Sequence, residues 1–349
     1  MVLITQQSLF AQDSTKALSI SGAVDGYYRY NFSNAPGGIT NNFTSFTSTQ
    51  NAFALGMASI RVDATALAGK VTAVADVGFG PRAEEFAYYE SANKSSLQLV
   101  KQLYVVYKLN NNIKFTAGKF ATHVGYEVLD APLNRNYSMS YLFTNGPFSH
   151  TGVKFDLAIG SFGLMAGVAN FLDQTVATTA VKTVIGQLSG GTKNGKLKVY
   201  LNYAGFYGSN LGDNPLNLKS FSQFDMVVNA VLSNQFNIGI NGTLQNRKQQ
   251  SGVEDPSGSW YGAAVYLNFD PSSKIGITLR SEYISDSKTV WYDTENIFAN
   301  TLSLNYKLGP LIIIPEGRVE VAHDNFFTKG NGIGTKSTVT ALIAAVYKF

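Results

Sequence analysis

The chain has 349 residues, 45% of them hydrophobic and only 14% charged, against roughly 25% charged in soluble domains. Its net charge of +4 is carried by scattered lysines, so no basic block suggests a nucleic-acid partner. With no cysteine, a disulfide framework and any thiolate ligand or nucleophile are excluded.

The N-terminal "MVLITQQSLFAQDS" reads as the end of a secretory signal peptide, although it lacks a basic n-region. Residues 1–12 are assigned to that remnant and 13–349 to one domain. Length alone would suggest two domains, but β-barrels run long as one. The first long run, "ALSISGAVDGYYRYNF", alternates. Leu18, Ile20, Val24, Tyr28, Tyr30 and Phe32 share one parity; Ser19, Ser21, Asp25, Arg29 and Asn31 share the other. Period two with apolar groups on one side marks a half-buried strand.

About sixteen such runs follow one another, near 17–32, 49–63, 69–82, 97–109, 113–121, 147–158, 160–171, 179–190, 196–207, 219–233, 235–247, 258–270, 274–286, 295–307, 310–324 and 336–349. In "KIGITLRSEYISD" the polar parity carries Thr278, Arg280, Glu282 and Asp286. In "LIIIPEGRVEVAHD" it carries Glu316, Arg318, Glu320 and Asp324. Both parities of "NAFALGMASIRVD" are mixed, and its facing stays open. The apolar run before Pro315 and Glu316 falls far short of the roughly 20 residues a membrane-crossing helix needs. Composition fits an outer-membrane β-barrel, and a soluble sandwich or propeller equally.

The connections separate these readings. Those at 110–112, 159–160, 233–235, 270–274 and 308–310 are short. Those at 33–48, 83–96, 122–146, 208–218, 248–257, 287–294 and 325–335 are long, and the two kinds alternate. Transmembrane barrels have short periplasmic turns and longer outer loops. The expectation is an all-β, closed antiparallel transmembrane barrel of about sixteen strands (14–18), with both termini periplasmic. Aromatics at strand ends, among them Tyr107, Phe269, Tyr306, Tyr347 and Phe349, suit interfacial girdles. The terminal Tyr347 and Phe349 look like the signal by which assembly machinery recognises outer-membrane barrels.

The stretch "AGKFATHVGYE" (117–127) with "LDAPLNRNYSMSYLFTNGPFSHTGVKF" (129–155) resembles the OmpL-like β-barrel porin family of Gram-negative bacteria. The matching residues are Gly118-Lys119-Phe120, Gly125-Tyr126-Glu127, Asn136-Tyr137-Ser138, Leu142-Phe143, Pro147-Phe148 and His150-Thr151-Gly152-Val153. "WYGAAVYL", "LRSEYISD" and "VYKF" match further on. Arg135 departs from the pattern, where an aromatic residue is expected. The resemblance implies an outer-membrane pore for small solutes and supplies no catalytic residue.

In large porins an inward loop narrows the lumen. That role falls to 122–146, with Glu127, Asp130 and Arg135 as constriction residues and the acids facing Arg29, Arg61, Arg280 and Arg318. Arg29, Arg61, Arg280, Glu282, Glu316, Arg318 and Glu320 are placed on the lumen wall, because an Arg or Lys facing lipid at mid-membrane costs about 2–4 kcal/mol. The bland role of the wall charges is a ladder of ion pairs. No Gly-x-Ser-x-Gly or His-Glu-x-x-His occurs, and His123, His150 and His323 form no recognisable site. Strand alternation would turn His323 and Asp324 to opposite faces. The reading is a non-enzymatic porin for small hydrophilic solutes, without metal or cofactor, with lipid, lipopolysaccharide and further copies of itself among its candidate partners. A non-conducting structural or adhesin barrel is the alternative, and an outer-membrane hydrolase a remoter one.

Overall fold

The computed structural model describes residues 17–88, 95–208, 216–250 and 257–349. The expected signal-peptide remnant at 1–12 lies outside them, as do the middles of connections 83–96, 208–218 and 248–257. All sixteen expected runs are strands. They are β1 (Ala17–Asn31), β2 (Ala52–Ala66), β3 (Val71–Phe79), β4 (Val100–Lys108), β5 (Ile113–Ala121), β6 (Ser149–Ile159), β7 (Phe162–Asn170) and β8 (Lys182–Gly191). Then come β9 (Leu197–Tyr207), β10 (Leu218–Val231), β11 (Phe236–Gln249), β12 (Gly258–Phe269), β13 (Ile275–Ser285), β14 (Asn296–Leu308) and β15 (Leu311–Ala322). After the small pair β16 (Phe327–Thr328) and β17 (Gly334–Thr335), the wall ends with β18 (Ser337–Lys348).

Each wall strand pairs antiparallel with its neighbour in sequence, and β18 closes on β1 into a sixteen-stranded barrel. Closure leaves no wall strand with an unpaired edge, which lipid would not tolerate. The outer surface is the apolar parity: Phe53 is 89% exposed, and Leu18, Leu55 and Phe162 also project from the wall. The opposite parity points inward and is mostly polar, as with Asn241, Thr243 and Gln245 on β11.

The ambiguous facing of β2 has a local cause. Gly56 and Met57 together stand opposite Asp25, in a bulge where the β1–β2 register shifts between Val24 and Gly26. An extra residue reverses parity, so Phe53 and Leu55 face out before it, and Ala58 and Ile60 after it. A Cβ at residue 56 would fall 1.7 Å from an Asp25 carboxylate oxygen and 2.7 Å from the Tyr137 hydroxyl, so a larger residue there would have to displace that pair.

The turns 67–70, 109–112, 160–161, 192–196, 232–235, 270–274 and 309–310 sit together at one end. The long connections share the other end and hold α1 (Pro81–Phe86), α2 (Ser95–Gln98) and α3 (Tyr141–Thr144). The seam is tied by the last residue. Phe349 N donates to Gly22 O, and Gly22 N to Phe349 O, each at 3.0 Å. The Phe349 ring lies where a side chain on residue 22 would be. Inside, the long-loop half of the lumen holds aromatic clusters, one around Phe171, Phe206 and Phe221 and another around Tyr141, Trp260 and Tyr266.

Candidate pore constriction

The connection between β5 and β6, residues 122–148, turns inward and crosses the lumen. Its departure is set by local chemistry. The Thr122 hydroxyl accepts from Val124 N at 3.1 Å and contacts His150 Nε2 at 3.2 Å, an Ser/Thr turn that competes with strand continuation. His123 Nε2 meets the Tyr203 carbonyl at 2.9 Å. Burial holds the His123 imidazole down at about 4, so it is neutral at physiological pH. Gly125, at φ 92°, makes the bend, and its N–H donates to Asp225 on β10 at 3.0 Å. The Tyr126 ring stacks on Tyr266 of β12 with centroids 4.1 Å apart.

Beyond the bend the loop is pinned to the wall at several points. Arg280 Nη1 donates to Glu127 at 2.6 Å and to the Ser138 carbonyl at 2.7 Å. Arg318 Nη1 donates to the Met139 carbonyl at 2.9 Å. Glu316 accepts from Tyr137 N at 2.8 Å, Ser138 N at 3.2 Å and the Ser303 hydroxyl at 2.7 Å. Tyr141 spends its N–H on Glu282 and its hydroxyl on Glu320, at 2.7 and 2.8 Å. The Tyr137 hydroxyl reaches Asp25 on β1 at 2.5 Å. Burial lifts the hydroxyl pKa of both tyrosines above the ordinary value.

The wall charges of β13 and β15 thus lie beneath the loop rather than in open water. Arg280 and Arg318 are shared among Glu127, Glu282 and Glu320, at 2.6–3.3 Å. Their side chains are 0% and 5% exposed. Loop backbone N–H groups supply donors to the carboxylates, which is what a buried charge cluster requires.

Asp130 goes elsewhere. It meets Lys101 of β4 at 2.5 Å, and Lys101 also holds Asp76 of β3 at 2.9 Å. Arg135 forms a bidentate pair with Asp270 at 2.8 and 2.9 Å and donates to Thr278 at 2.7 Å. This pairing, with Arg135 first among its causes, holds the Asp270 carboxyl below its ordinary pKa. Arg29 binds the Thr40 and Thr49 carbonyls of the first long connection, at 2.9 and 2.5 Å. Arg61 pairs with Asp63 on its own strand at 2.7 Å.

Glu127 and Arg280 therefore come together as an opposed pair, whereas Asp130 meets a lysine and neither Arg29 nor Arg61 meets a loop acid. Sequence reasoning missed Lys101, which sits at a register shift in β4 opposite Asp76 and Val77, where parity no longer reports facing. It missed Asp25 and Asp225 as anchors, although both stand on inward parities. His323 and Asp324 correct an expectation. They touch, Nδ1 to Oδ1 at 3.1 Å, because β15 ends at Ala322 and alternation stops there.

What remains within reach of water is a different set. Arg61, Asp63, Asp130, Arg135, Asp270, Lys154 and Asp156 have side chains between 21% and 32% exposed. Both signs are present, so the loop and the wall beside it can hold an ion or a polar solute by charge and hydrogen bonding.

Comparison with known proteins agrees with this architecture. The family model "Putative beta-barrel porin-2, OmpL-like" matches residues 17–349. No curated protein matches the sequence. Among solved structures, the outer membrane channel DcaP of Acinetobacter baumannii superposes with a TM-score of 0.64 at 12% identity, covering 97% of this chain and 99% of that one. The anion-selective porin from Comamonas acidovorans gives 0.64 at 11% identity, with 96% and 100% covered. The trimer form of OmpT from Vibrio cholerae gives 0.61 at 15%, with 96% and 99% covered. At such identities these structures speak to the fold alone. The family model spans nearly all of the chain, and the protein belongs to the OmpL-like β-barrel porin-2 family.

Proposed function

We propose that the protein is an outer-membrane porin through which small hydrophilic solutes diffuse passively, narrowed by the loop 122–148. The observation that carries this is the loop's path across a closed sixteen-stranded barrel, with Asp130 and Arg135 still partly exposed. In this reading Asp130, Arg135 and Arg61 meet the solute. Glu127, Arg280, Glu282, Glu316, Arg318 and Glu320 anchor the loop, and Arg29 anchors the first long connection. A large barrel otherwise leaves an aqueous channel, so an inward loop sets its width. No catalytic residue is invoked.

The short turns face the periplasm and the long connections face outward, with both ends of the barrel wall periplasmic. Tyr347 and Phe349 present the end recognised by the assembly machinery. Lipopolysaccharide meets the outer rim, and the barrel associates with copies of itself. Purified protein in a planar bilayer should give steady conductance steps. Their absence in correctly folded protein would favour a plugged barrel, which the complete burial of Tyr137, Met139 and Tyr141 makes the second reading.

A further inference from the structure

The short-turn mouth carries a charge pattern that the loop does not explain. The inward parity at the ends of the wall strands places Lys108 on β4, Lys114 on β5, Lys198 on β9, Lys307 on β14 and Lys348 on β18. Each alternates with lipid-facing neighbours: Tyr107 flanks Lys108, Leu197 flanks Lys198, Tyr306 flanks Lys307 and Tyr347 flanks Lys348. Lys108 and Lys114 are direct cross-strand partners, an arrangement of like charges that costs stability. The nearby acids have other basic partners, although Asp156 also stands cross-strand from Lys114. Asp156 pairs with Lys154 at 3.7 Å, and Asp270 with Arg135 and Lys307 at 2.8 and 3.6 Å. Among the described residues Lys108, Lys114, Lys198 and Lys348 have no ion-pair partner. A cavity of about 280 Å³ opens between Lys108, Lys114, Asp156, Gln187 and Ser189.

We propose that these lysines form an anion-attracting ring at the short-turn mouth, which makes the pore select small anions such as carboxylates and phosphate. The proposal rests on the channel reading above. It assigns selectivity to a mouth, because the charges of the inward loop neutralise one another. A ring of ammonium groups raises the local anion concentration and repels cations. Its reach shrinks with salt, from about 10 Å at 0.1 M to about 3 Å at 1 M.

The test is the reversal potential of the purified full-length protein in a planar bilayer under a KCl gradient. Chloride should permeate several-fold better than potassium near 0.1 M, and the preference should shrink near 1 M. In the triple variant Lys108→Gln, Lys114→Gln, Lys198→Gln the ratio should fall toward unity with conductance at 1 M KCl kept. Tripolyphosphate should block wild-type current from one side only. A channel that prefers potassium, or is blocked equally from both sides, overturns the ring, as does a conducting triple variant with an unchanged ratio. A folded wild-type protein without any conductance overturns the channel reading instead.

Discussion

At the scale of the residue, the decisive group is Arg280, fully buried and bonded to Glu127 and to two loop carbonyls. Removing one partner of a buried ion pair leaves an unpaired charge, at a cost of about 3–5 kcal/mol. Arg280→Ala should therefore lower the unfolding midpoint in detergent strongly. Adding Glu127→Gln should restore part of the loss, and additive single effects would show that the two do not interact. His123 offers a pH prediction. Its folded pKa of about 4 lies below the unfolded value of about 6.5. The unfolded chain binds the extra proton between these values, so stability falls as pH drops through that window. Asp173, raised to about 6 by burial, acts oppositely there. Comparing wild type with His123→Gln cancels that contribution. The variant should lose less stability than wild type between pH 6.5 and 4, and identical pH profiles would refute a role for His123 protonation.

At the scale of the element, the loop is the feature to cut. Deleting 130–142 removes the segment that bonds Glu316, Glu282 and Arg318, and should raise single-channel conductance. Unchanged conductance in a folded deletion would place the narrowest point elsewhere. The strands were legible from the sequence because parity is a direct readout of a wall with lipid on one side. The inward loop was legible only as length and charge. Its anchors Asp25, Asp225 and Lys101 are fixed by contacts between residues far apart in sequence, such as Tyr137 with Asp25. The facing of β2 was ambiguous for a physical reason, the bulge at Gly56 and Met57, which shifts parity midway.

At the scale of the whole molecule, the two rims make separate claims. With no native cysteine, single cysteines report topology cleanly. Lys288→Cys, on a long connection, should react with an impermeant maleimide on intact cells, and Asn111→Cys, on a short turn, should not. The reverse labelling would invert the proposed orientation. The seam and the buried loop also impose an order of events. Hairpins β10–β11 or β12–β13 join close residues, but the Phe349–Gly22 ring closure joins the two extremes of the wall. Glu127 and Tyr137 cannot find their partners on β13 and β15 until the second half of the barrel exists. Contacts of such long sequence separation form late and slowly. A chain halted midway would hold its constriction loop with the charges exposed and unpaired, so the barrel should mature in one late, concerted step in which the cylinder shuts and its interior locks together.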